Sequence, residues 1–392
     1  MRRLAVIFTA LLAVVLSAAG PTLAQSKDPV KIGLSAAVSG GSAASGEAIK
    51  RGLQIAIDEI NGKGGVLGGR KLEMVIRDDE GNPQKGVTIA RELAEREKVA
   101  AVFGGLHTTV ALAQVPVWQE LKVPYMGAWA AGTNVTRNGQ TPNYVFRVSA
   151  NDDYVDRFLS RYAMDALKKG KPGLLLENTP WGQSNEAGLT KWFGEKGVKA
   201  VGVERFNWND PDMSPQLLRL KNAGADLIVL VANAPEGAQV LRSKSKLGWD
   251  ASMISHWGIS GGRFAELTGD LSDGVTFLQT YTFFGKQNER GQYVLKMLRD
   301  KYGVKEPGDV IAPVGTANAY DGMHLVAMAI DQAASTDGPK VREALENLKG
   351  EYKGLIKTYK HPFTAEQHDA LTDEDYVMVV WKGGKIVPIS MK

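Results

Sequence analysis

The 392-residue chain contains no cysteine. That excludes disulfides, thiolate metal sites and a cysteine nucleophile together. A dominant charge is missing too: 47 basic residues stand against 43 acidic ones, interspersed, with no basic block and no arginine-rich arm. Nucleic acid is therefore not an expected partner. The five histidines, His107, His256, His324, His361 and His368, show neither an HExxH pattern nor paired ligand spacing, so neither a metal nor a cofactor is expected. After residue 24 no apolar run approaches the ~20 residues needed to cross a bilayer core.

What is present begins at the N-terminus. Met1-Arg2-Arg3 precede a 16-residue apolar run, Leu4–Ala19, and Pro21-Thr22-Leu23-Ala24 stand before Gln25. A charged start, a short apolar stretch and a small residue ahead of a polar one predict a secretory signal peptide over residues 1–24. An uncleaved membrane anchor is the competing reading, disfavoured by the shortness of the run, and a lipoprotein would need a cysteine here. Cleavage removes Arg2 and Arg3 and no acid, taking the formal charge from +4 to +2. Export separates a protein from ATP and NAD, which weighs against most catalytic readings.

The remaining chain exceeds what one core usually organises, so two domains are expected. Short aliphatic runs alternate with amphipathic stretches. A strand at Lys31–Ser35, a helix over Gly46–Asn61, a strand at Lys71–Arg77, a helix over Pro83–Glu97 and a strand at Val99–Phe103 form a βαβαβ unit. The same grammar restarts after Ala150, with helices over Asp153–Lys168, Ser184–Lys196, Ser214–Ala223 and Glu236–Leu247. Strands at Gly173–Glu177, Val198–Phe206, Asp226–Val231 and Met253–Ser255 alternate with them. Two α/β units in series suggest two lobes facing each other across a cleft. Beyond them come a strand over Val275–Thr282 and helices over Arg290–Tyr302, Thr316–Ala334 and Pro339–Asn347. A terminal hairpin is expected around Gly383-Gly384.

Three glycine-rich segments invite chemistry. Gly41-x-x-x-x-Gly46 opens a helix after a strand, where phosphate loops lie, yet Glu47 and Ala48 replace the Lys and Ser/Thr that a P-loop requires. It reads equally as a loop lining a ligand cleft or as a plain helix start. Gly64–Gly69 follows a helix and precedes a strand, the reverse of a dinucleotide turn. Gly258-Ile259-Ser260-Gly261-Gly262 matches the GxSxG nucleophile elbow, but no HGGG-type oxyanion segment accompanies it. An exported serine hydrolase using Ser260 is the enzymatic alternative. Trp129, Trp181 and Trp257 each sit in a Gly/Pro-flanked loop just after a predicted strand, where ligands of open α/β sheets bind, so an aromatic-lined pocket is expected.

Several segments, spread over the mature chain, resemble the leucine/isoleucine/valine-type periplasmic solute-binding proteins of ABC transporters. They are Ile32-Gly-Leu-Ser with Gly40-Gly41, Ala56-Ile-Asp-Glu-Ile-Asn61-Gly-Lys-Gly-Gly-Val66, Arg77-Asp78-Asp79-Glu80-Gly-Asn82-Pro83, Gly132-Thr133-Asn134 and Ala319-Tyr320-Asp321. The resemblance implies the type I periplasmic binding fold: two Rossmann-like three-layer α/β lobes joined by a three-strand hinge. The expected division is lobe 1 at 27–149 plus 281–358 and lobe 2 at 150–280 plus 359–392. It further implies an exported periplasmic receptor, not an enzyme, delivering a small carboxylate ligand to a membrane permease. A periplasmic sensor of the same fold is a further alternative.

By the same resemblance Thr108, Ala131 and Thr133 hold the carboxylate, and Trp181 covers the ligand from the second lobe. Hydroxyls and helix-start N–H groups suit an anion without an arginine. The glutamate that receives the α-ammonium in amino-acid binders falls on Trp257. An ammonium desolvated without an acceptor is costly, so an aromatic or keto acid is expected ahead of an unmodified amino acid. Asp152, Glu177 or Glu236 could replace the missing acceptor, and His107 and His256 could recognise a second polar group.

Overall fold

The computed structural model describes residues 28–389, so the expected signal peptide and its cleavage site lie outside the described residues. Five strands form the first sheet: β1 (Val30–Ala36), β2 (Leu72–Asp78), β3 (Ala101–Gly104), β4 (Tyr125–Gly127) and β5 (Val145–Arg147). They are all parallel, in the order β2-β1-β3-β4-β5. A second sheet holds β6 (Pro172–Glu177), β7 (Gly202–Phe206), β8 (Leu227–Val231), β9 (Ser252–Ser255) and β10 (Thr276–Gln279). Read from its β7 edge the order is β7-β6-β8-β9-β10, the same winding as the first sheet. β6 and β8 are buried along their whole length, which is why Leu227–Val231 reads as an unbroken apolar run.

A small hairpin follows, β11 (Glu351–Lys353) with β12 (Thr358–Lys360). The antiparallel pair β13 (Val377–Lys382) and β14 (Lys385–Pro388) then extends the second sheet beyond β10. Between β10 and β11 the chain returns to the first lobe. Helix 313–333 lies on helix 43–62, with Thr316 Oγ1 donating to Ala48 O at 3.1 Å. Gly52 permits that approach: a Cβ there would stand 2.2 Å from Thr316 O. The chain thus passes between the lobes after β5, after β10 and after β12.

Most expected elements occur within a few residues. Two expected helices end sooner, Pro83–Arg91 and Asp152–Arg161, each running into a π-turn. The expected strand from Val198 begins only at Gly202. Helix Thr108–Leu121 and the β11–β12 hairpin had no counterpart in the sequence reading.

In both sheets the strand order reverses direction beside the first strand of the unit, at β1/β3 and at β6/β8. Ligands of open parallel sheets bind outside the carboxyl ends of strands at such switch points. The loops there (37–46 and 105–108 from lobe 1, 178–182 and 232–236 from lobe 2) face each other.

Candidate functional site

Lobe 1 contributes two adjoining loops. Thr108 opens helix Thr108–Leu121, and its Oγ1 accepts from Gly132 N at 3.1 Å. A Cβ on Gly132 would lie 2.3 Å from Thr108 Cγ2, so glycine is what lets the loops touch. Ala131 O accepts from Asp152 N at 2.8 Å, tying this lobe to the start of lobe 2. Thr133 Oγ1 donates to Asn151 Oδ1 at 3.1 Å, and Thr133 N donates to Ser184 Oγ of lobe 2 at 3.2 Å. Thr108, Ala131 and Thr133 therefore stand together.

Sequence reasoning missed the residue that shapes this loop. Arg147, wholly buried, donates from Nη1 to Ala130 O (3.0 Å) and Gly132 O (2.9 Å), and from Nε to Asp369 Oδ1 (2.7 Å). In a trans peptide the N–H points opposite to the C=O. Turning the carbonyls of 130 and 132 toward Arg147 therefore aims the amides of Ala131 and Thr133 away from it, and Thr133 N reaches Ser184 across the lobes. Asn151 Nδ2, donating to Asp369 Oδ2 at 2.7 Å, completes the hub.

Lobe 2 answers with aromatics. Trp181, at the start of helix Pro180–Glu195, donates from Nε1 to Asp152 Oδ1 at 3.2 Å, and His256 Nε2 meets the same oxygen at 3.0 Å. His256 Nδ1 accepts from Trp257 N at 2.8 Å, so the proton of the neutral ring sits on Nε2. Trp181 packs edge-on to His256 with centroids 5.0 Å apart. Asp152 is therefore engaged by its own lobe through one oxygen; Oδ2 bonds no described residue.

Trp129 and Trp257 occupy equivalent places, each two residues beyond its strand, β4 or β9. Both are buried, and their rings meet at 5.7 Å across the lobe boundary. They form a floor between the lobes rather than the walls of an open pocket, a placement the sequence reading did not foresee.

A small chamber of about 10 Å³ is lined by His107, Thr108, Glu177, Trp181, Trp208 and Asn233. It shares His107, Trp208 and Asn233 with a cavity of about 360 Å³, and Thr108 with one of about 450 Å³ that also reaches Thr133 and Ser184. Trp129, Ala131, Asp152, His256 and Trp257 line none of these three. A chamber this small holds no organic ligand until side chains move or the lobes part.

Glu177 ends β6 and is buried; Oε1 accepts from Asn233 N (2.8 Å) and Nδ2 (3.0 Å), Oε2 from Trp208 Nε1 (2.8 Å). Burial, reinforced by Glu236 and only partly offset by those bonds, pushes its carboxyl up to about 8. Glu236, on the wall of the cavity of about 360 Å³, is raised by burial as well. Burial holds the His107 ring down to about 4, so it is neutral at pH 7; its Nε2 lies 3.3 Å from Ser42 Oγ and its ring 5.7 Å from Trp208.

The hydrolase alternative finds a different environment at Ser260. Its Oγ donates to Trp257 O at 2.7 Å and accepts from Gln279 Nε2 at 3.0 Å, and neither partner is a base. Among the described residues no cluster of three His, Cys, Asp or Glu is placed to hold a metal ion.

Two similarly wound α/β lobes closing on a cleft at their switch points define a bilobal binding protein. Residues 29–385 match the family described as periplasmic binding protein, and the chain belongs to that family. The Leu/Ile/Val-binding protein homolog 2 of Brucella abortus (strain 2308) is 28% identical over 356 residues, 91% of either chain. A periplasmic binding protein type 1 from Bordetella pertussis Tohama I superposes with a TM-score of 0.84 at 26% identity, covering 92% of this chain and all of that one (100%). An ABC-transporter solute-binding protein from Rhodopseudomonas palustris HaA2, solved with p-hydroxybenzoic acid, has the same fold (TM-score 0.77, 21% identity, 93% and 96% covered).

Proposed function

We propose that this chain is the exported solute-binding component of an ABC transporter. It closes its lobes, divided at 27–149 plus 281–358 and 150–280 plus 359–392, on a small carboxylate ligand and presents it to a membrane permease. The observation that carries this reading is that Thr108 and Thr133 of lobe 1 line one cavity with Ser184 of lobe 2, while Thr108 also lines the adjoining chamber with Trp181 of lobe 2. Hydroxyls and amides at a helix start bind an anion, and contacts from the second lobe select the closed state.

The ligand is an aromatic or keto acid in preference to an amino acid. Trp257 stands where an ammonium-binding glutamate is expected. Glu177 carries its proton at neutral pH and already accepts three hydrogen bonds, while Asp152 serves Trp181 and His256 through Oδ1 and lines none of the three cavities. The Brucella relative's name favours the second reading, a branched-chain amino acid. A thermal-shift panel of 4-hydroxybenzoate, phenylpyruvate, 4-methyl-2-oxopentanoate, leucine and valine separates them. A ligand at 100 times its Kd adds about 2.7 kcal/mol of stability. Shifts with the acids that Thr108→Val abolishes support the proposal. Shifts with leucine and valine alone overturn the ligand class, and no dependence on Thr108 overturns the site.

A further inference from the structure

The two glycine-rich segments that resemble a phosphate loop and a nucleophile elbow meet each other across the cleft. Ser45 N, in the first turn of helix 43–62, donates to Gly261 O at 2.9 Å. Glycine lets the two backbones come close on both sides of this contact. A Cβ on Gly262 would stand 2.4 Å from Gly41 O, one on Gly261 2.2 Å from Leu106 Cδ1, and one on Gly41 2.9 Å from Pro235 Cγ. Each of these pairs joins one lobe to the other.

The contact has a counterpart. Because the two sheets share one winding, the helix after β1 corresponds to the helix after β6, and the loop after β4 to the loop after β9. Ser45–Gly261 joins the β1 helix of lobe 1 to the β9 loop of lobe 2. Thr133–Ser184 joins the β4 loop of lobe 1 to the β6 helix of lobe 2, again through a backbone N–H, at 3.2 Å. The Trp129–Trp257 pair, from the β4 and β9 loops themselves, lies between equivalent elements.

We propose that these two contacts are paired latches, one at each flank of the ligand cleft, and that the glycines at 41 and 262 set how closely the lobes approach and hence the size of ligand the closed form accepts. The inference rests on the two-lobe closing mechanism above, but not on the carboxylate reading. Glycine at these positions lets backbone meet backbone; a side chain at 262, against Gly41 O, or at 41, against the Pro235 ring, props the lobes apart on one side, whereas a Cβ at 261 meets only the movable end of Leu106 besides Ser45 across the gap. Segment 258–262 then needs no catalytic serine to account for its glycines.

The chain's lack of cysteine supplies a clean test. An ideal Cβ on Gly261 lies 3.3 Å from Ser45 Cβ, near the ~3.5–4.5 Å range that a disulfide spans. In the full mature chain Ser45→Cys/Gly261→Cys is expected to form an intramolecular disulfide under mild oxidation, with no ligand added, and Thr133→Cys/Ser184→Cys to report the second latch. Adding Gly41→Val, whose Cβ meets Pro235 across the gap, slows the first cross-link by about tenfold or more. Two titratable thiols persisting in a variant with parental near-ultraviolet dichroism overturn the latch. So does cross-linking at an undiminished rate with Gly41→Val. If the cross-links form while no carboxylate shifts the melting temperature, the ligand reading fails and the latch stands.

Discussion

Replacing Arg147 with methionine tests whether the loop geometry at 130–133 is imposed from the hinge. The substitution takes from the buried Asp369 carboxylate the cation that lies 2.7 Å away and leaves it the more distant Arg137 Nε at 3.9 Å. Thr136 Oγ1 at 3.0 Å and Asn151 Nδ2 at 2.7 Å are its remaining hydrogen-bond partners. Removing one member of a buried pair costs about 3–5 kcal/mol, chiefly because the other charge is stranded. The carbonyl of Ala130 also loses its donor, about 1–3 kcal/mol for an unsatisfied group, while Gly132 O keeps Val135 N at 3.1 Å; these terms overlap and do not add. A total near 4 kcal/mol is a large part of the ~5–15 kcal/mol by which folded proteins are stable, and urea unfolding resolves it. Arg147→Met/Asp369→Asn buries no charge and should regain about half of the loss. It should not regain ligand binding, because nothing then turns the 130 carbonyl, Val135 N alone holds that of 132, and the amides of Ala131 and Thr133 lose their aim. The reasoning is refuted if the single variant lies within about 1 kcal/mol of the parent, or if the double variant binds as the parent does.

Two further outcomes are expected. Glu177 holds its proton up to about 8 in the folded protein but releases it near 4.5 when unfolded, so the folded state binds more protons across that window. Stability contributed by this group therefore declines as pH rises from 4.5 to 8 and levels off above, by a few kcal/mol in all. Glu177→Gln, despite weakening the Trp208 bond, flattens that decline in urea titrations; a slope identical to the parent's rules the account out. Ser260→Ala strands Gln279 Nε2 and should lower stability by about 1–3 kcal/mol. Turnover of an activated ester that disappears with this substitution would restore the hydrolase alternative.

What was legible in the chain follows from the range of the forces involved. β8 and helix 43–62 declare themselves through periodicity and unbroken apolar runs, because burial of one face is a local property of sequence. Helix Thr108–Leu121 carries Pro116 in its interior and has buried residues around most of its circumference, so neither capping nor an apolar stripe marks it. The Thr108 and 131–133 loops came into view through family resemblance, not through spacing. Arg147 gave no signal: its partner Asp369 is 222 residues away, and a lone arginine closing a strand reads as a solvated charge. The aromatics show the same limit from the other side. Strand-end placement picked out Trp129 and Trp257, yet their pairing at 5.7 Å depends on two lobes wound alike and set face to face, which no local pattern encodes. The two glycine segments carried motifs of phosphate and ester chemistry for the same reason: glycine at a strand end means close backbone approach. Only the fold shows that the approaching group is the other lobe, through Ser45 and Leu106, and not a ligand's phosphate or an acyl intermediate.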